Sequence, residues 1–219
     1  MTLLFSLSSI CIVLLWISSD MPFSLTDAKD VAAITQSFLV GSGSIFAILA
    51  INKWRNEVVY KRKVELAEEV SDLFSRAVFV FQDIRNPFSS AAEGTSRPQG
   101  EHESPEQTDR LNHLYVTLER MQRHFEFFQK IETYRNKFLL YFGDEFESAF
   151  EAVDSIRRNI RATAVTRYQV GLQGDSWDDE DWRHIIWETR NNDEINQKLL
   201  NAKEQIWQVC KAVIQKSLE

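Results

Sequence analysis

The chain has 219 residues, is 44% hydrophobic and 26% charged, and carries a net charge of −7 with a mean hydropathy of −0.30. A mildly acidic chain of this kind offers no basic face for duplex DNA. Its two cysteines, Cys11 and Cys210, exclude a disulfide framework and a cysteine-based metal site, which fits a reducing cytoplasm for the C-terminal part. The averages conceal an asymmetry, because residues 2–19 and 31–51 contain no Asp, Glu, Lys or Arg, and 24 of the 25 basic residues lie beyond residue 51.

The first apolar run, TLLFSLSSICIVLLWISS, is long enough to make a helix of about 27 Å. A secretory signal peptide is the competing reading. Residues 2–10 hold no Lys or Arg for a charged n-region, and no small-residue cleavage signal follows, so a retained membrane span is expected. The second run, Val31 to Ile51, also reaches spanning length. Between them, DMPFSLTDAKD reads as a short polar turn, which makes residues 1–51 a transmembrane hairpin. The turn carries Asp20, Asp27 and Asp30 against Lys29, whereas Lys53, Arg55, Lys61, Arg62 and Lys63 follow the second span. The positive-inside rule then places both termini in the cytoplasm and the turn in the periplasm or its equivalent, with Trp16 and Trp54 at headgroup level on opposite faces.

The second span contains small residues at helical spacing. Ala33, Ser37 and Gly41 step by four and lead to Ser44, while Gly43 and Ala47 repeat the spacing on a neighbouring face. In lipid, helices associate through close packing rather than through burial from water, so such a stripe marks a contact face. Two readings stay open: packing within the hairpin, or self-association of several copies.

Beyond residue 52 the pattern is helical. Leu66, Val70, Leu73, Ala77, Val80 and Ile84 form a 4-3-4-3-4 seam in a helix without Pro or Gly from Phe46 to Arg85. Pro87 ends it, and residues 86–106 read as a flexible surface loop rich in Ser, Gly, Pro and Glu. With so few apolar residues there, deletion of Ser89 to Ser104 is expected to leave the domain folded. A helix from about Gln107 carries Leu111, Leu114, Leu118, Met121, Phe125 and Phe128 and stops at Gly143. Asp144 and Glu147 form a capping box for the next helix, which uses Phe146, Phe150, Val153, Ile156 and Ile160. After Gly171 and Gly174 the acids Asp178 to Asp181 begin a short helix. The last helix buries Ile195, Leu199, Ala202, Ile206, Val209 and Val213. The expected fold is an all-α membrane protein: a two-helix transmembrane hairpin followed, over residues 52–219, by a cytoplasmic antiparallel helical bundle.

Chemistry-bearing motifs are scarce. There is no phosphate-binding Gly-rich loop, no H-E-x-x-H and no G-x-S-x-G. Arg120 with His124 is R-x3-H and Arg110 with His113 is R-x2-H. Helical-bundle ribonucleases of the HEPN type use R-x4-H, and a shift of one residue turns the pair by about 100° around a helix. No catalytic residue, cofactor or metal is expected. Arg157, Arg158 and Arg161 are candidates for gripping a phosphate or partner; the plainer reading pairs them with acids of neighbouring helices. Trp177, Trp182 and Trp187 could stack on a base, or serve as core and interface aromatics.

The segments RKVELAEEVSDLF and DIRNPFSSAAEG, after a membrane span, resemble those of a group of bacterial membrane proteins. The layout of a two-span hairpin and a helical cytoplasmic domain is similar to the transmembrane effectors of certain retron anti-phage systems. That resemblance makes the membrane a bacterial inner membrane and implies a partner complex of a reverse transcriptase with its RNA–DNA product, which holds the effector inactive. Release would permeabilise the inner membrane and abort the infection. The alternative is an inert anchor whose bundle is a scaffold for a cytoplasmic partner.

Overall fold

A computed structural model describes residues 25–173, 181–188 and 193–218. Among these the protein is all-helical, with no strand. The elements are α1 (Leu25–Ile84), α2 (Pro105–Arg123), α3 (Phe125–Phe142), α4 (Glu147–Leu172), α5 (Asp181–Ile186) and α6 (Glu194–Leu218). The expected first span, residues 2–19, lies outside the described residues, as do Trp177 and Asp178 to Glu180. The chain divides into two compact units, residues 1–59 and 60–219, and α1 contributes to both.

In the first unit, the sequence predicts a polar turn up to Asp30, but α1 is already helical from Leu25. Nothing in residues 25–30 prevents this, since neither Gly nor Pro occurs there and Asp27 and Asp30 suit a helix start. This helix is the one among the described residues that is long and apolar enough to cross a membrane, with an 18-residue window of mean hydropathy 1.3 and none of that window buried.

The second unit is built around one hydrophobic core. The α1 seam enters it intact: Leu66, Val70, Leu73, Ala77, Val80 and Ile84 are all buried, together with Phe74 and Phe81. Phe74 meets Phe150 of α4 edge-to-face at 5.1 Å, and Phe81 meets Phe128 of α3 at 5.5 Å. Phe138 stacks on Phe142 at 4.2 Å, and α6 contributes Leu199, Ala202, Ile206 and Cys210. Each such side chain removed from water stabilises the fold by about 1.5–3 kcal/mol. A smaller cluster joins Ala164, Trp182 and Ile186.

Three local expectations are corrected. The helix read as running unbroken to Gly143 is interrupted at His124, which ends α2 and precedes α3. The break turns Phe125 outward, 46% exposed, and puts Phe127 into the core beside Phe128. The Asp144–Glu147 capping box does not form. Gly143 adopts φ 109°, residues Asp144–Phe146 make a single 3-10 turn, and α4 starts after Phe146 without a side-chain cap. The real capping box lies earlier, where Ser104 and Gln107 cap α2 reciprocally.

The stretch read as a flexible loop is non-helical between α1 and α2 and is strapped down by arginines. Arg120, almost fully buried, donates to both carboxylate oxygens of Glu93 and to the carbonyls of Asp83, Asn86 and Phe88. Arg97, also buried, binds Glu103, Asn112 and the Pro98 carbonyl. Gly94 has φ 80°, and any Cβ there would collide with the Asn112 carbonyl. Charged hydrogen bonds, which a count of apolar residues does not register, hold this segment in place.

Arg85 closes the other side. Fully buried at the end of α1, it donates through Nη2 and Nη1 to Asp193 at 2.7 and 3.0 Å. It also donates to the Asn196 side-chain oxygen on α6 and to the carbonyls of His184, Ile185 and Trp187 at the end of α5. Asp193 in turn accepts from the backbone N–H groups of Ile195 and Asn196 and so caps α6.

Candidate functional site

In the first unit, the predicted stripe of Ala33, Ser37, Gly41, Gly43, Ser44 and Ala47 lies exposed on α1. A Cβ built on Gly41 or Gly43 meets nothing within 4 Å. The serine hydroxyls are satisfied locally: Ser37 donates to the Ala33 carbonyl at 2.8 Å and Ser44 to the Val40 carbonyl at 2.9 Å. Such back-bonding lets a hydroxyl enter an apolar medium without an unmet donor. The face is therefore smooth, small and chemically neutral, suited to close approach of another helix.

In the second unit, a groove of about 410 Å³ runs between α3 and α4 and continues at the His124 break into a smaller recess of about 160 Å³ beside α2. Phe125, Phe128 and Arg157 border both. The Arg157 guanidinium lies 5.7 Å from the Phe128 ring centroid, and Arg161 borders the recess. The groove thus combines an outward Phe125 with a mixed rim of Arg135, Arg157, Glu132 and Asp154. That lining fits an amphipathic polypeptide segment and lacks any nucleophile beside a base.

The candidate arginines do not act alike. Arg157 pairs with Asp154 at 2.6 Å and Arg158 reaches the same carboxylate at 3.2 Å, so their partner is on their own helix rather than a neighbouring one. Arg161 is exposed on the same helix. Arg120 and His124 do not form a reacting pair: Arg120 is committed to Glu93 and three carbonyls, and the His124 Nε2 lies 2.8 Å from an Asp83 carboxylate oxygen. Trp182 is buried and meets Trp187 edge-to-face at 5.0 Å, with the Arg167 guanidinium stacked 3.7 Å over the Trp182 ring. Burial, then the nearby Arg183 charge, brings the Arg167 pKa down to about 10. Among the described residues, Trp182 and Trp187 hold α5 against α4. No group of three or more metal-ligating side chains occurs among the described residues.

The carboxylates of the strap are strongly perturbed. Hydrogen bonds from Arg120 hold Glu93 down at about 2, and those from Arg97 do the same to Glu103. Sequence reasoning missed Arg85, Arg97 and Arg120 as organisers. Their one local signal is that Arg85 ends a helix directly before Asn86-Pro87. No known protein family matches the chain, and neither a curated protein nor a solved structure matches it.

Proposed function

We propose that the protein is a bacterial inner-membrane effector of anti-phage defence whose N-terminal hairpin permeabilises the membrane when its cytoplasmic antiparallel helical bundle is released by a restraining partner. The observation that carries this reading is the exposed small-residue face of α1, where Gly41 and Gly43 have open space and the serines have their hydrogen bonds met. Such a face permits close approach of helix backbones, which assembly of several copies needs and which packing within the hairpin also uses. The resemblance to retron effectors supplies the restraining partner, a reverse transcriptase with its RNA–DNA product. Both termini lie in the cytoplasm in this reading. A periplasm-active reporter is then silent after Glu219 and active near Ser24.

The deciding experiment expresses the chain without its genetic neighbours and follows growth beside a membrane-potential dye. Depolarisation and growth arrest are expected, blunted by Gly41→Leu and Gly43→Leu at equal membrane abundance. An intact potential, both alone and when co-expressed with neighbouring genes under phage challenge, overturns the effector reading. The second reading, an anchored scaffold, is favoured by the groove at Phe125, Phe128 and Arg157, which fits a polypeptide partner. Phe125→Ala would then abolish partner capture without touching the membrane potential.

A further inference from the structure

The two ends of the second unit meet at one place. The Tyr60 hydroxyl donates to the Val213 carbonyl at 3.0 Å, and Lys63 sits 4.5 Å from the Phe142 ring centroid. The Gln205 amide donates to the Glu145 carbonyl at 3.2 Å, so the turn between α3 and α4 is level with Gln205. The last turns of α6 therefore continue past that turn, alongside the first turns of α1 in this unit. Their inner side is apolar, with Ile206 and Cys210 fully buried and Val209 and Ile214 packed on the core. Their outer side exposes Lys211 and Lys216, while Lys61 and Arg62 are exposed on α1. Lys211 lies 4.5 Å from the centroid of Trp207, a partly exposed indole. Among the described residues the acids on or beside these turns are Glu57, paired with Lys53 at 3.8 Å, Glu65, loosely paired with Lys61 at 4.0 Å, Glu204, hydrogen-bonded by Gln208, and Asp144 and Glu145 at the α3–α4 turn.

We propose that this end of the helical unit is a lipid-docking surface, on which Lys61, Arg62, Lys63, Lys211 and Lys216 engage anionic headgroups and Trp207 sits at the interface. The inference rests on the reading of α1 as a membrane span and goes beyond it by assigning the C-terminal turns of α6 to the membrane surface. Two arguments carry it. The chain from Ile51 to Tyr60 keeps this end within about 30 Å of the apolar stretch even when fully extended. Cations act on an anionic leaflet only within about a Debye length, roughly 10 Å, and here the fold gathers them from opposite ends of the unit onto the end tethered nearest the bilayer. An indole beside a lysine is also the pairing that favours a headgroup layer.

The test uses the full chain with Cys11→Ser in nanodiscs of phosphatidylglycerol or of phosphatidylcholine. A fluorophore is placed at Gln215→Cys or, as a control, at Gln99→Cys. The buried Cys210 stays unlabelled, since burial pushes its thiol up to about 12. Gln99 follows the far end of α1, about 36 Å of helix from Tyr60. Quenching by headgroup nitroxide is expected to be several-fold stronger at position 215 than at 99 in phosphatidylglycerol discs. High salt, phosphatidylcholine discs, or Lys211→Gln with Lys216→Gln should remove that excess. Equal quenching at both positions in an incorporated chain overturns the docking surface and leaves the span intact. Failure of the chain to enter discs at all overturns the span reading, and the docking surface with it.

Discussion

Two halves of one helix treat their apolar residues in opposite ways. From Phe38 to Trp54 the large apolar side chains of α1 are 56–70% exposed, whereas those from Leu66 to Ile84 that form the core are 0–8% exposed. Both halves are rich in apolar residues, so content does not decide the outcome. Distribution does. The first half is apolar on every side and carries no charge from residue 31 to 51, a surface that no single protein groove can cover. The second half gathers most of its apolar residues into one stripe, with Glu68, Glu69, Asp72, Arg76 and Gln82 elsewhere and Phe79 alone among its large apolar side chains exposed, and so fits against neighbouring helices. The second half packs against α3, α4 and α6.

The sharpest way to break this contrast is to attack the buried half at its polar end. Asp193→Ala leaves the Arg85 guanidinium buried without its carboxylate, and removing one member of such a pair costs about 3–5 kcal/mol. The urea midpoint of the helical unit should fall accordingly. The double change Arg85→Met with Asp193→Leu should recover much of the loss, because no unpaired charge then remains inside. If Asp193→Ala is silent, the Arg85 clasp does not hold α1, α5 and α6 together.

A charge placed in the exposed half should leave the helical unit unaffected and act only on membrane insertion. Ile45→Arg raises the apparent insertion free energy by about 2.5–3.5 kcal/mol near a span centre. The carbonate-resistant fraction should drop, with the urea midpoint of the second unit unchanged. The reverse pattern would place the exposed half inside a protein core.

A smaller effect concerns the strap that follows the buried half. Glu93 and Glu103 both titrate near 2 in the folded protein, against 4.5 unperturbed, because Arg120 and Arg97 hydrogen-bond to their charged forms. Their folded pKa values are depressed, so their contribution is complete above about pH 4.5 and is lost as the pH falls toward 2. Glu93→Gln should cost about 1–3 kcal/mol at neutral pH and flatten part of that acid-side slope. Deletion of Ser89 to Ser104, harmless on a count of apolar residues, should now destabilise, since it strips the buried Arg120 of its carboxylate. Denaturation midpoints measured from pH 7 to pH 2.5 give both answers.

The smallest expected change sharpens the contrast from the other side. Gly41→Leu adds bulk where no atom lies within 4 Å, so the midpoint of the helical unit should move by no more than about 0.5 kcal/mol. A larger shift would mean that this face of α1 is already packed in the isolated chain.

The sequence by itself determined what depends on neighbours one or two turns away. The α1 seam from Leu66 to Ile84, the stop at Gly143 and the apolar, uncharged stretch before Lys53 were all legible, because helical periodicity and burial are local properties of a pattern. The small-residue face was legible for the same reason, although spacing could not say what meets it. Tertiary structure alone decided which partners were chosen. Arg85 finds Asp193 across 108 residues and Tyr60 finds Val213 across 153. The break at His124 also belongs to that level. There, packing of Phe127 and Phe128 against α1 and burial of Arg120 over the loop outweigh the continuity of the 3-4 pattern. Local propensity is worth tenths of a kcal/mol per residue, whereas a buried aromatic or a paired buried arginine is worth several times that, so the long-range contacts set the final geometry.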